Sequence, residues 1–150
     1  MKLRDGQWFD GMYNNRALVP EHPAILARWA SESARARAQG PCELDIPYGP
    51  QPGERLDVFP APSPDAPVLV FVHGGYWRAL DKADHSFVAP AFHRDGACVV
   101  IPNYTLCPEA TIPQITLQIA RAVAWTWHNI GRYGGVRRRI VVAGHSAGGQ

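Results

Sequence analysis

The 150 residues are enough for one ordinary domain. Hydrophobic residues make up 46% and charged residues 19%, a composition that excludes a disordered chain. A net charge of +2 is too mild to argue for nucleic acid, and the basic cluster Arg137-Arg138-Arg139 reads as a solvated strand start rather than a phosphate-binding stripe. The three cysteines, Cys42, Cys98 and Cys107, fit neither a disulfide framework nor a zinc pattern, so a reducing, cytoplasmic setting is expected. Met1 to Asp5 has no apolar segment behind it, which argues against a signal peptide, and no run nears the roughly 18 apolar residues of a membrane span.

In chain order, residues 1–40 form a polar, aromatic-bearing helical lead, with a helix predicted over Ala24 to Gln39 and closed by Gly40-Pro41. Residues 41–150 form the second unit. Leu44 to Ile46 is a short strand, Pro47 to Gly53 a turn, and Arg55 to Phe59 alternates like a second strand. Pro60 to Pro67 holds four prolines and is a surface connection. Val68-Leu69-Val70-Phe71-Val72 is a continuous apolar run, as expected of a parallel strand buried on both faces. A helix is predicted from Lys82 to Arg94, and Ala97 to Ile101, with Cys98 as a small core residue, is the next buried strand. Thr111 and Gln114 have capping-box spacing, and Pro113 falls in the first turn, where a missing N–H costs nothing. Ile112, Ile115, Ile119, Ala122, Val123 and Thr126 then mark one buried helix face, ended by Gly131 and Gly134-Gly135. Arg139 to Ala143 is the last strand. This alternation of strands and helices predicts βαβ units, an α/β fold with a mostly parallel sheet and flanking helices.

The last strand runs into Gly144-His145-Ser146-Ala147-Gly148, a Gly-x-Ser-x-Gly pattern. Alone it is weak, arising by chance in roughly one chain in twenty of this length. Its context strengthens it. A nucleophile elbow needs a buried strand directly before a serine in a strained backbone position, and small neighbours where strand and helix approach. Ile140-Val141-Val142 supplies the strand; Gly144 and Gly148 supply the small neighbours. Ser146 is therefore the candidate nucleophile for acyl transfer. That chemistry develops an oxyanion, which needs N–H donors aimed at it. His73-Gly74-Gly75, at the end of another buried strand, lets the backbone approach a substrate without a Cβ in the way. The expected donors are the N–H groups of Gly75, Tyr76 and Ala147.

His73-Gly74-Gly75-Tyr76-Trp77 resembles the HGGxW signature of the kynurenine formamidase (arylformamidase) group of α/β-hydrolases. Related esterases of the hormone-sensitive-lipase type usually carry a third glycine at the Tyr76 position. Tyr13-Asn14-Asn15-Arg16, and Asn103-Tyr104 through Pro108-Glu109, are also similar to that group. The resemblance runs from about residue 10 to 150. It implies the N-terminal portion of an α/β-hydrolase fold and a serine hydrolase that cleaves a small acyl amide, such as N-formylkynurenine to kynurenine and formate. Tyr76 and Trp77 would wall the acyl side of the pocket, His73 would brace the loop, and His145 would point away from substrate. The general base of the group comes from a later loop.

In this fold the acid and the histidine follow the serine, and only four residues follow Ser146. The chain is accordingly expected to be truncated after the elbow. Alone it is expected to be inactive, marginally stable and prone to aggregate through an apolar sheet edge. The alternatives are a carboxylesterase of small acyl esters and, in another class, a catalytically dead fragment. A nucleotide site is excluded, because Gly144, Gly148 and Gly149 do not make G-x-G-x-x-G and no Walker lysine is present. No cofactor and no metal are expected, since His22, His85, His93 and His128 lack ligand spacing. The expected partner is a small-molecule substrate, with no nucleic acid or membrane; a homodimer of the complete protein is one open assembly, since the sequence does not give the oligomeric state.

Overall fold

A computed structural model describes residues 4–150; Met1, Lys2 and Leu3, the first three residues of the helical lead over 1–40, lie outside the described residues. Five strands form one sheet in the order β1-β2-β4-β3-β5. They are β1 (Glu43–Pro47), β2 (Arg55–Phe59), β3 (Ala66–Val72), β4 (Cys98–Pro102) and β5 (Gly135–Gly144). β2 is antiparallel to both β1 and β4, whereas β3 is parallel to β4 and to β5, so four strands share one direction and β2 opposes them. The helices are α1 (Gly6–Tyr13), α2 (Asn15–Leu18), α3 (His22–Gln39), α4 (Ala89–Arg94) and α5 (Ile112–Asn129). Among the described residues no helix is long and apolar enough to cross a membrane.

The apolar runs at Val68–Val72 and Ala97–Ile101 become the buried strands the pattern predicts, whereas Ile140–Val142, expected to be buried, lies in β5 with Val141 and Val142 exposed, because β5 pairs only with β3 among the described residues. β4 is buried at all five positions, including Cys98, because it has partners on both edges and layers on both faces. One side of the sheet packs Leu56, Val58, Val68, Val70 and Val100 against Ala122 and Ile130. The other packs Phe59, Leu69, Val99 and Ile101 against Ala89. Burying each such side chain contributes on the order of 1.5–3 kcal/mol, which makes these two layers the main source of stability.

Two expectations need correction. The single helix predicted from Lys82 to Arg94 is broken into 3-10 turns at Lys82–Asp84 and Ser86–Val88, followed by the short α4. The reason is local: Asp81 and Asp84 form a capping box around the first turn, with Ala83 N–H donating to Asp81 Oδ1 at 2.8 Å. The chain then restarts at α4, with Pro90 in its first turn. In α5 the predicted cap is present, with Thr111 N–H donating to Gln114 Oε1 at 2.8 Å, but Ile112 is 44% exposed and Gln118 is buried instead. Gln118 faces inward because its amide serves the loop after β4: Thr105 N–H donates to its Oε1 at 2.7 Å, and its Nε2 donates to Thr105 Oγ1 at 3.0 Å. The helix ends at Asn129, and a further turn, Ile130–Tyr133, carries the chain to Gly134, which is left-handed with φ +81°.

Candidate active site

The loops after β3 and after β5 meet at the ends of two adjacent parallel strands. Residues Val68 to Val72 pair in sequence with Ile140 to Gly144, and His145 N–H donates to Val72 carbonyl at 3.0 Å. This pairing draws His73-Gly74-Gly75 and Gly144-His145-Ser146 together.

Ser146 has φ +53°, a left-handed backbone that a serine holds at a cost of about 1–3 kcal/mol. It is exposed and opens a helical turn, Ser146–Gly149. The two flanking glycines are required by space. A Cβ on Gly144 would overlap the Gly148 carbonyl oxygen, and one on Gly148 would overlap the carbonyl oxygens of Val72 and His73. On the other side, a Cβ on Gly74 would come within 2.7 Å of the His145 carbonyl oxygen and 3.1 Å of Ser146 Cβ. The serine and the Gly74 backbone are therefore close neighbours.

The loop after β3 is unusual along its length. Gly75 has φ +111°, and Tyr76, Trp77 and Leu80 have φ +58°, +57° and +72°. At Gly75 a Cβ would collide with the Ala79 carbonyl, whose carbon lies 2.7 Å from the Cβ position. The Gly75 carbonyl accepts from Arg78 N–H at 3.1 Å and Ala79 N–H at 3.0 Å. Among the described residues, neither Gly75 N–H nor Tyr76 N–H donates to a protein acceptor. Ala147 sits in the first turn after the elbow, where backbone N–H groups have no partner within the turn. These are the three donors expected from the sequence. Tyr76 is 74% exposed, whereas Trp77 is partly buried against Val72, Tyr104, Ala110 and Ile115, and Cys107 N–H donates to its carbonyl at 2.7 Å.

His73 is fully buried. One ring nitrogen lies 2.7 Å from the Gly74 carbonyl oxygen and the other 2.9 Å from Asn103 Oδ1, while the ring stacks on Tyr104 with centroids 4.4 Å apart. Tyr104 hydroxyl donates to the His73 carbonyl at 2.9 Å, and burial pushes its phenol up to about 12. His85 packs behind His73, centroids 5.4 Å apart, and burial holds it below the ordinary histidine range. His145 is exposed and meets Trp29 of α3 edge-on at 6.0 Å. Among the described residues none of these histidines hydrogen-bonds the Ser146 hydroxyl.

Sequence reasoning missed the polar cluster beneath the loop. Lys82 is buried, its Nζ 2.8 Å from Asp45 Oδ1 and 2.7 Å from the buried Asp57 Oδ1. Burial pushes the ammonium down, but its bonds to the two carboxylates outweigh that and hold it above the usual lysine range. Nothing local marks Lys82 as buried, since its partners lie on β1 and β2. Glu54 and Arg121 form a second ion pair, 67 residues apart, beside a concavity of about 330 Å³ lined by Gln51, Thr105, Gln114, Gln118 and Arg121. Ser146 does not line that concavity.

Residues 56–150, more than half of the chain, match the BD-FAE family. The chain is 34% identical over 127 residues to a kynurenine formamidase of Danio rerio, which covers 83% of this chain and 42% of that protein. It is 38% identical over 137 residues to the esterase LipQ of Mycobacterium tuberculosis, covering 87% of this chain and 30% of that protein. The chain thus spans less than half the length of these relatives. A crystal structure from Silicibacter sp. TM1040, provisionally named a thioesterase, superposes with a TM-score of 0.79 at 36% identity, over 91% of this chain and 50% of that one. The sheet order, the two meeting loops and these similarities converge: the chain belongs to the BD-FAE family and carries the first five strands of an α/β-hydrolase fold.

Proposed function

We propose that this chain supplies the nucleophile and the oxyanion loop of a serine hydrolase acting on a small acyl amide, in the manner of an arylformamidase. The observation that carries the reading is the backbone of Ser146, left-handed at φ +53° and set against Gly74 between two glycines that admit no side chain. A strained backbone of this kind persists only where its surroundings hold it, and such positions cluster at active sites. Ser146 attacks the formyl carbonyl carbon. The developing oxyanion takes hydrogen bonds from Gly75, Tyr76 and Ala147, the aryl amine departs with a proton, and water then releases formate from the serine ester. The serine's proton passes to a base from a later loop of the polypeptide.

A carboxylesterase of small acyl esters is the second reading, favoured by the 38% identity to LipQ. The two are separated in the full polypeptide encoded by the reading frame, by comparing formate release from N-formylkynurenine with hydrolysis of p-nitrophenyl acetate. Higher kcat/KM on the formamide supports the first reading, and higher kcat/KM on the ester supports the second. Turnover of either that survives Ser146→Ala removes both. A polypeptide with no turnover of either matches the dead-fragment alternative.

A further inference from the structure

The loop that carries the expected oxyanion donors is held at both ends by one side chain. Asn103, just after β4, is half-buried beneath it. Its Oδ1 lies 2.9 Å from His73 Nε2 where the loop begins. The same oxygen accepts from Lys82 N–H at 3.3 Å where the loop ends, and its Nδ2 donates to Asp81 Oδ2 at 2.6 Å. The amide orientation follows from chemistry: its oxygen faces a backbone donor and its nitrogen faces a carboxylate. Between these anchors lie Gly75, Tyr76, Trp77 and Leu80, all with positive φ. A conformation of that kind persists only where its surroundings over-determine it. Asn103 is itself fixed, since its carbonyl accepts from Tyr48 hydroxyl at 2.5 Å and its neighbour Arg55 carbonyl accepts from its N–H at 2.8 Å. The Asp81–Lys82 anchor is fixed in turn by the capping box and by the Lys82 bridge to Asp45 and Asp57.

We propose that Asn103 is a positioning residue for the oxyanion loop: by joining His73 to Asp81 and Lys82 it closes the loop's ends and holds the Gly75 and Tyr76 N–H groups toward Ser146. The inference rests on the serine-hydrolase reading for its catalytic consequence, but not for its structural one. The side chain of Asn103 is engaged with His73, Asp81 and Lys82 and not with Ser146, so its effect is expected on kcat more than on KM. Asparagine is required over aspartate because a carboxylate would oppose Asp81 at 2.6 Å.

The test uses the full polypeptide and a reciprocal exchange. Asn103→Asp sets two carboxylates against each other. Asp81→Asn added to it restores one amide facing one carboxylate, and asparagine still caps the 82–84 turn. The expected result is a kcat about 10²-fold lower for N103D with KM within about 3-fold, the size that a displacement of about 1 Å costs. N103D/D81N is expected to recover most of that loss. Amide hydrogen exchange over residues 74–80 is read in parallel: faster in N103D, restored in the double variant, with the exchange of β3 and β4 unchanged as a folding control. Unchanged exchange in N103D overturns the proposal whatever the activity. Faster exchange that the second substitution does not restore also overturns it. Exchange that follows the expected pattern in a protein lacking any Ser146-dependent turnover upholds the clamp and rejects the hydrolase reading instead.

Discussion

Strands β4 and β5 carry nearly the same apolar sequence, Cys98-Val99-Val100-Ile101 and Ile140-Val141-Val142-Ala143, and end up in different surroundings. β4 lies between β2 and β3 and is buried throughout. β5 pairs only with β3 among the described residues, and Val141 and Val142 are 60% and 51% exposed. Among the described residues the elbow therefore rises from a strand paired on one edge, while the loop opposite it rises from β3, which is paired on both edges. The two halves of the site are supported unequally. The loop side has a polar scaffold of buried His73, Tyr104 and Lys82 with half-buried Asn103, and the elbow side relies on close backbone packing at Gly144 and Gly148.

The sharpest test of the elbow side is Ser146→Ala in the full polypeptide. It is expected to lower kcat by about 10⁶ with the thermal midpoint unchanged or slightly raised; residual turnover within tenfold of wild type moves the chemistry elsewhere. Next, Gly148→Ala drives a Cβ into the carbonyl oxygens of Val72 and His73, and is expected to destabilise by about 4 kcal/mol or more in urea unfolding. A loss under 1 kcal/mol would mean that the elbow is less tightly packed than described.

The contrast between the strands themselves is tested by truncating each. Ile101→Ala in β4 is expected to cost about 3 kcal/mol, and Val141→Ala in residues 1–150 less than about 0.5 kcal/mol. Equal costs would abolish the distinction. In the same chain, Val141→Lys is expected to reduce self-association in sedimentation, because a charge on an exposed edge blocks strand pairing.

The smallest effect is on pH dependence. Burial keeps His85 neutral in the fold, with its pKa below the ordinary 6.5, so the unfolded chain binds the extra proton first. Stability is then complete above 6.5 and falls as pH drops below it. His85→Phe is expected to flatten the fall of the unfolding midpoint between pH 7 and pH 5. Asp45 acts in a separate, lower window. Its bond to Lys82 holds the carboxyl below the ordinary 3.8, and its modest, solvent-screened contribution is present above that value and lost as pH falls through the lowered one.

Much of the fold was legible because its signals are short-ranged. The runs at Val68–Val72 and Arg55–Phe59, the Thr111/Gln114 cap and the close approach of Gly144 to Gly148 each act within a few residues, so pattern and spacing suffice. The predicted helix over 82–94 failed because an acidic cap at Asp81/Asp84 favours a tight turn over a longer helix. Ile112 and Gln118 exchanged places because a loop 13 residues away required the glutamine's amide.

By itself the sequence determined where strands and helices alternate, and that a small-residue serine turn and a glycine pair each follow a buried strand. Those features depend on local sterics and periodicity, which a chain carries with it. The tertiary structure alone decided that β2 opposes the other strands and that β4 lies between β2 and β3. It also decided that Lys82, Asn103 and Asp57 meet beneath the loop. These depend on contacts between residues 21 to 46 positions apart, whose energies exist only once the sheet has formed.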